Sequence, residues 1–82
     1  MRMSARFVAK ELIGYTTAAV YEIWKDMGLV IKDKWGDWVL TDYGRSVGGR
    51  MSKGTRLSVP TFDVDQVIDM MIEFYKKTHG EK

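Results

Sequence analysis

The most constraining feature of the chain is a pair of short helical periodicities, each followed by a glycine, in residues 4–28. Apolar residues recur at i, i+3, i+4 and i+7 in residues 4–13, before Gly14, and again in residues 17–27, before Gly28. This spacing is typical of amphipathic helices that bury one face, and glycine readily adopts the left-handed conformation that ends a helix. Two helices of this length joined by a tight turn predict a helix-turn-helix.

A β-hairpin is predicted directly after the second helix, in residues 29–40. Two short runs of β-branched and aromatic residues flank a turn at residues 33–36, which is a hairpin pattern. Because side chains alternate along a strand, four of them are expected on the buried face: Leu29, Ile31, Trp38 and Leu40. Three others are expected near the exposed tip: Lys32, Lys34 and Trp35.

Residues 41–59 are predicted to form a short helix followed by a basic loop. Thr41 can cap a helix that extends to about residue 47. Its apolar face is expected to carry Tyr43, Val47 and Met51. Three glycines in residues 44–49 lower the helix propensity, so residues 49–58 are expected to be a flexible loop.

The last helix is predicted in residues 62–77, after the pair Val59-Pro60, which is expected to be extended because a residue before proline avoids helical angles. Asp63 is a typical N-cap, and Gln66 stands three residues later, as in a capping box. Acidic residues lie towards the start of this helix and lysines towards its end, which is the distribution that the helix dipole favours.

The chain of 82 residues, of which 45% are hydrophobic, is long enough for one domain, residues 1–82. Its elements are expected in the order helix, turn, helix, hairpin, short helix, loop, helix. This order predicts an α+β fold, mostly α-helical, in the layout of a small winged helix-turn-helix domain, with the hairpin as the wing.

Two stretches of sequence resemble known regulators of this layout. Residues 20–30, which end in Gly-Leu-Val, are similar to the end of the recognition helix in many winged helix-turn-helix proteins. Residues 36–45 contain Leu-Thr-x-x-Gly-Arg, which resembles the second wing strand and the following step in MarR-like and PadR-like regulators. The chain also resembles the C-terminal domains of phage antirepressors of the KilA-C type. In those domains, too, a wing with a tryptophan is followed by Thr-x-x-Gly-Arg/Lys, a Gly-rich stretch and a final helix.

The resemblance covers about residues 4–71 and implies binding of double-stranded DNA by a transcriptional or phage-encoded regulator. In such proteins the second helix enters the major groove and reads bases. The MarR-like and PadR-like proteins are longer and carry extra dimerisation helices, whereas this chain has room for at most one.

The distribution of charge favours an anionic partner. The net charge is +2, but residues 1–59 carry ten Lys and Arg against six Asp and Glu, while residues 60–82 carry three against five. All charged residues in the segment 45–56 are basic. Nucleic acid is the commonest anionic surface that such a segment meets.

The candidate DNA contacts fall into three groups. The second helix offers Thr16, Thr17, Tyr21 and Lys25. The wing tip offers Lys32, Lys34 and Trp35. The short helix and basic loop offer Arg45, Arg50, Lys53 and Arg56. Each group also has a simpler interpretation: a solvated helix face, a tryptophan that folds back onto its neighbouring lysine, and a solvated loop.

Met70 and Phe74 form a second, narrower apolar stripe on the last helix, beside its main apolar face. The additional width predicts a homodimer through the C-terminal helix, because a monomer needs only one buried face. The alternative is that both residues cover the basic loop or the first helix of the same chain.

Several classes of protein are not expected from this composition. The chain has no Cys, so it has no disulfides and no Cys-containing zinc site. Its uninterrupted apolar runs reach only three or four residues, so no membrane span or signal peptide is expected and the cytoplasm is the expected location. His79 is the only His. Asp63 and Asp65 could suggest a metal pair, but Asp63 is better explained as an N-cap, and catalytic motifs are absent. We therefore expect no enzyme activity, no cofactor and no metal.

The alternative function is a protein-protein interaction module on the same scaffold, such as a phage factor that inhibits or recruits a host protein. Glu22 and Asp26 lie on the second helix and would repel phosphates if that helix entered a groove. RNA binding is a third candidate, less favoured because no exposed aromatic sheet face is evident.

Overall fold

A computed structural model describes residues 1–53 and 58–79 of the chain. Within these residues the elements follow one another as β1 (Arg2–Ser4), α1 (Ala5–Glu11), α2 (Thr17–Asp26), β2 (Val30–Lys32), β3 (Trp38–Leu40), α3 (Asp42–Ser46), β4 (Arg50–Lys53), β5 (Ser58–Asp63) and α4 (Val64–His79). The fold is therefore α+β, as predicted. About half of the chain is helical, and the strands are more numerous than the sequence predicted.

Both helices predicted in residues 4–28 are present, and α1 packs against α2. Thr16 caps α2: its hydroxyl accepts a hydrogen bond from the N–H of Ala19 at 3.0 Å. Gly14 and Gly28 follow the two helices with φ of 86° and 83°, the left-handed conformation that was expected of them. The first helix ends earlier than predicted, at Glu11.

The predicted hairpin is present as β2 and β3, and Leu29 and Leu40 are buried as predicted, but Ile31 is not. Val30 pairs with Leu40, and both are buried. Ile31 therefore points to the other face and is 54% exposed, so the prediction that it is buried was wrong. The strand begins at Val30 rather than at Leu29, and a shift of one residue exchanges the faces of a strand.

The turn of the hairpin is organised by one carboxylate. Asp33 Oδ1 accepts hydrogen bonds from the backbone N–H groups of Trp35 and Asp37, both at 2.9 Å. The backbone N–H of Asp33 donates to the carbonyl oxygen of Asp37. Gly36, with φ of 81°, allows the chain to reverse its direction. This side-chain turn keeps the tip compact.

A three-stranded antiparallel sheet, in the order β1-β5-β4, was not predicted. It includes residues 50–53 and 58, which were expected to belong to a flexible loop. Met51 consequently lies in β4 and pairs with Pro60, instead of extending the apolar face of α3. Residues 54–57, which belong to the same predicted loop, lie outside the described part of the chain.

Strand β5 is central in this sheet although it contains Pro60, which cannot donate a hydrogen bond to a ladder. Residues 61–63 of β5 pair with β1, whereas residues 58–61 pair with β4. Pro60 therefore has a strand partner only on the β4 side, because β1 ends at Ser4, opposite Thr61, and the chain then enters α1. This position makes the proline compatible with a central strand.

The two faces of the sheet differ in polarity. Phe62 and its partner Met3 face the core, and Phe62 is only 2% exposed. Thr61 lies on the opposite face, between Ser4 of β1 and Arg50 of β4. The sheet therefore has one apolar face against the helices and one polar outer face.

Trp24 lies at the centre of the core with no exposed surface. Its ring meets Phe62 edge to face, with centroids 4.8 Å apart, and its Nε1–H donates to Met71 Sδ at 3.4 Å. These two contacts join α2 to β5 and to α4. The remaining buried hydrophobic residues around them are Ala5, Val8, Ala9, Val20, Leu29, Val30, Leu40 and Val67.

The short helix α3 was predicted, and it is fixed by Thr41. The Thr41 hydroxyl accepts the N–H of Gly44 at 2.9 Å and donates to the carbonyl oxygen of Gly28 at 2.5 Å. Gly44 is required by packing, because a Cβ at this position would collide with the carbonyl oxygen of Leu29. This contact holds α3 directly against the start of the hairpin.

Helix α4 begins two residues after the predicted start, because Phe62 and Asp63 belong to β5. The predicted N-cap is confirmed: Asp63 Oδ2 accepts the N–H of Gln66 at 3.2 Å. Among the described helices, none combines the length and the apolar character needed to span a membrane.

The charge of Asp63 is expected to make part of the stability dependent on pH. Its hydrogen bond from the Gln66 N–H and its contact with the Met1 amino group lower the pKa of Asp63 in the folded state. A lowered folded-state pKa stabilises the fold above the pKa of the unfolded chain, about 3.9, and the contribution is lost as the pH falls below that value. The free energies of unfolding of the wild type and of Asp63→Asn should therefore differ at neutral pH and converge on acidification.

Urea denaturation between about pH 7 and pH 2.5 tests this expectation. Asp65→Asn is the matched control, since it removes a carboxylate from the same turn but leaves the Asp63 carboxylate in place, and it should cost less stability at neutral pH. A difference between wild type and Asp63→Asn that stays constant over the range would contradict the assignment.

Candidate nucleic-acid interface

The start of α2 presents the first predicted contact residues to solvent. Thr16 is exposed, and Thr17 is half-buried at the first position of the helix. The Thr16 hydroxyl is engaged by the N–H of Ala19. Thr17 is therefore the better placed of the two predicted threonines for contact with another molecule.

Tyr21, predicted as a base contact, lies between α2 and the hairpin. Its ring stacks on Trp38 with centroids 4.9 Å apart and an interplanar angle of 5°, and it meets Trp24 edge to face at 6.0 Å. Burial raises the pKa of the Tyr21 hydroxyl. Lys32, a predicted wing-tip contact, places its ammonium group 5.1 Å from the centroid of the Trp38 ring. The structure thus assigns Tyr21 a packing role in fixing the hairpin to α2.

Lys25 is paired within its own helix. Its Nζ lies 3.7 Å from a carboxylate oxygen of Glu22, and both side chains are largely exposed. The pair is weak, as exposed ion pairs are, but it partly neutralises an acid that would otherwise repel phosphate.

The hairpin tip exposes Trp35, whose accessible fraction is 74%. Lys34 Nζ lies 4.7 Å from the centroid of its ring, which is the folded-back arrangement considered as an alternative above. Asp33 and Asp37 also lie at the tip. The tip therefore offers an exposed aromatic face and a cation, together with two carboxylates.

Arg45 and Arg50 are both exposed. Arg45 lies on α3, and its Nη1 donates to the carbonyl oxygen of Leu40 at 3.4 Å, next to the end of the hairpin. Arg50 lies on β4, which packs near β3. The side chain of Lys53 and the whole of Arg56, the two other predicted loop contacts, lie outside the described residues.

Arg2 is a candidate that the sequence analysis missed. Its Nη1 donates to the carbonyl oxygen of Thr61 at 3.0 Å, and the Thr61 hydroxyl donates to the carbonyl oxygen of Arg50 at 2.9 Å. Arg2 and Arg50 therefore flank β5 on the outer face of the sheet. A three-residue strand has no recognisable periodicity, so no local signal placed Arg2 near Arg50.

Most of these cations lack a carboxylate partner. Within residues 1–53 and 58–79, the only ion pairs join Met1 to Asp63 and Lys25 to Glu22. Four exposed basic residues on the hairpin, α3 and β4 consequently have no ion pair within that part of the chain: Lys32, Lys34, Arg45 and Arg50. Arg2 is also exposed, but it stands opposite Asp63 in the strand ladder, and its charge helps to lower the pKa of that carboxyl.

The predicted dimer residues, Met70 and Phe74, are both half-buried. Met70 packs against the hydrophobic core of its own chain, and both residues line a groove between α4 and the end of α2. Their role in self-association stays a prediction.

The described residues contain no group of three or more His, Asp or Glu side chains that could hold a metal ion. Comparisons with protein-family models, curated proteins and solved structures found no significant match to this chain.

The stack of Tyr21 on Trp38 leads to a prediction about stability. Tyr21→Phe keeps the ring and should leave the free energy of unfolding within about 0.5 kcal/mol of the wild type, whereas Tyr21→Ala should lower it by about 2–4 kcal/mol. Urea denaturation followed by tryptophan fluorescence measures both. A Phe variant as unstable as the Ala variant would show that the hydroxyl, and not the ring, carries the contribution.

Proposed function

We propose that the protein binds double-stranded DNA, as a transcriptional or phage-encoded regulator built on a winged helix-turn-helix domain. The observation that carries the proposal is the set of exposed cations without an ion pair on the hairpin, α3 and β4. Phosphate neutralisation by such cations supplies most of the affinity of nonspecific DNA binding. The resemblance of the α2-to-hairpin sequence to winged-helix regulators supports the same proposal.

In the proposed complex, the start of α2 enters the major groove. Thr17 and the exposed residue Ala18 are the side chains available there for base edges and thymine methyl groups. Tyr21 keeps its place in the stack with Trp38 and orients the wing relative to α2. Arg45 and Arg50 contact phosphates, which fixes position without reading sequence.

The electrostatic part is tested with a labelled random-sequence duplex titrated at about 50 and 200 mM salt. Contacts from three to five cations predict a slope of log K against log salt of about −3 to −5. Arg50→Ala should weaken binding and reduce the steepness of the slope by about 1. Lys77→Ala removes the same charge from α4 and should leave the slope unchanged.

Absence of binding at low salt, or equal effects of Arg50→Ala and Lys77→Ala, would contradict the proposed interface. Both variants should first be shown by circular dichroism to retain the wild-type helix content.

If α2 reads the DNA sequence, a variant of α2 should lose preference for a particular duplex. This is tested with a preferred duplex that the protein selects from a pool of random DNA sequences. Thr17→Ala should reduce the preference for that duplex over random DNA by about tenfold, the magnitude of one lost base contact. Arg50→Ala should weaken both duplexes by the same factor, because it contacts phosphate. Equal losses on both duplexes from both variants would show that α2 does not read bases.

Carboxylates near the same surface favour a second candidate function, docking of another protein on this scaffold. Asp33 and Asp37 lie in the same turn as the exposed Trp35, and Asp26 lies at the end of α2. A mixed-charge rim around an exposed aromatic residue is typical of protein interfaces. Retention of a partner on immobilised protein after nuclease treatment, together with no DNA binding at about 50 mM salt, would favour this function.

A further inference from the structure

Helix α4 exposes apolar side chains to solvent along one side. Ile72 and Tyr75 are 49% and 57% exposed. They border an open groove of about 550 Å³ between α4, α2 and the connection after α1, which is also lined by Leu12 and Ile23. Next to that lining, Ile13 is 99% exposed. A contiguous apolar surface of this kind on a small domain indicates an interface.

The sequence of α4 is symmetric about Ile72 in a way that fits a second copy of itself. At about 100° per residue, Ile68 and Tyr75 lie on one side of Ile72, at about 40° and 60°. Asp69 and Lys76 lie on the other side of Ile72, at about 60° and 40°. Apolar residues thus occupy positions −4 and +3 relative to Ile72, and opposite charges occupy positions −3 and +4.

This arrangement is self-complementary when two α4 helices lie antiparallel. A two-fold axis beside Ile72 brings Lys76 of one copy level with Asp69 of the other to within about 1.5 Å along the helix axis. The same axis brings Tyr75 level with Ile68, on the side of the apolar groove. A parallel arrangement would instead place the charged side of each helix against the apolar side of the other, where Asp69 and Lys76 would find no opposite charge.

Both charged residues are available for such pairing. Asp69 and Lys76 are exposed, and neither forms an ion pair within the described part of its own chain. Stable dimers bury about 800 Å² on each partner, which is more than one face of a 16-residue helix provides. Tyr15, which lines the groove and is 40% exposed, extends the surface that a partner helix would cover.

We propose that the protein forms a homodimer through antiparallel α4 helices centred on Ile72, with two symmetric Asp69–Lys76 pairs between the copies. This surface is centred on Ile72, whereas Met70 lines the groove on the other side of α4; Phe74 borders both grooves, and Asp69 borders the Met70 groove. The proposal does not depend on DNA binding, because the oligomeric state is measured without DNA.

Sedimentation equilibrium of the full chain between about 5 and 300 µM tests the proposal, a range that covers weak to moderate dimers. The wild type should show a reversible monomer–dimer equilibrium. Ile72→Glu should raise the dimer Kd by at least about tenfold, because it places two carboxylates at the centre of the interface. Circular dichroism should show unchanged helix content, since Ile72 is half exposed in the monomer.

Charge reversal provides a sharper test, because it discriminates self-complementarity from general destabilisation. Asp69→Lys and Lys76→Asp should each raise the Kd by about tenfold, since each converts both symmetric pairs into repulsive ones. The double variant restores opposite charges and should return close to the wild-type Kd. A mixture of the two single variants should form heterodimers more tightly than either variant forms homodimers.

Lys77→Asp is the matched control for Lys76→Asp, as it makes the same change one residue further along, about 100° away on the helix. It should leave the dimer Kd within about twofold of the wild type, the scale of an exposed charge with no partner. A monomeric wild type at the highest concentration would overturn the proposal. So would disruption by Lys77→Asp but not by Lys76→Asp, which would place the interface on the Met70 side.

Discussion

The burial of one tryptophan is the contact on which the rest of the structure depends. Trp24 arises from α2, yet its ring packs on Phe62 of β5 and its indole N–H is satisfied by the sulfur of Met71 in α4. Three elements that are far apart in sequence therefore meet at one side chain. Because a buried N–H without a partner is costly, Met71 must stay where it is, and this requirement fixes α4 relative to the helix that is proposed to face DNA.

The sequence predicted those elements whose signals are local. The helices have a 3.6-residue period and recognisable caps, such as Thr16, Thr41 and Asp63, and the hairpin has a turn that one Asp side chain can close. Strands β1, β4 and β5 carry no such signal, because they are short and because Pro60 interrupts the longest of them. Their pairing is determined by tertiary packing around Phe62, and tertiary packing overrides local propensity.

The candidate site was predictable to a similar degree. Residue type and charge identified the exposed cations Arg45 and Arg50, and the contact of Tyr21 with DNA stays a prediction. The sequence did not reveal that Tyr21 stacks on Trp38, 17 positions away. Arg2 was overlooked because its proximity to Arg50 exists only through β5. In each case the deciding contact joins separate elements, and a periodicity analysis of single segments does not contain that information.

The antiparallel pairing of β1 with β5 has a consequence for the order of folding. Arg2 and Ser4 pair with Asp63 and Thr61, so the sheet cannot close until β5 has left the ribosome. The two N-terminal helices and the hairpin make local contacts, which form fast, whereas the sheet requires the slow closure of a long loop. During synthesis the backbone of β1 therefore stays unpaired until β5 has been made. Unpaired strand edges of this kind make nascent chains prone to aggregation and to binding by chaperones.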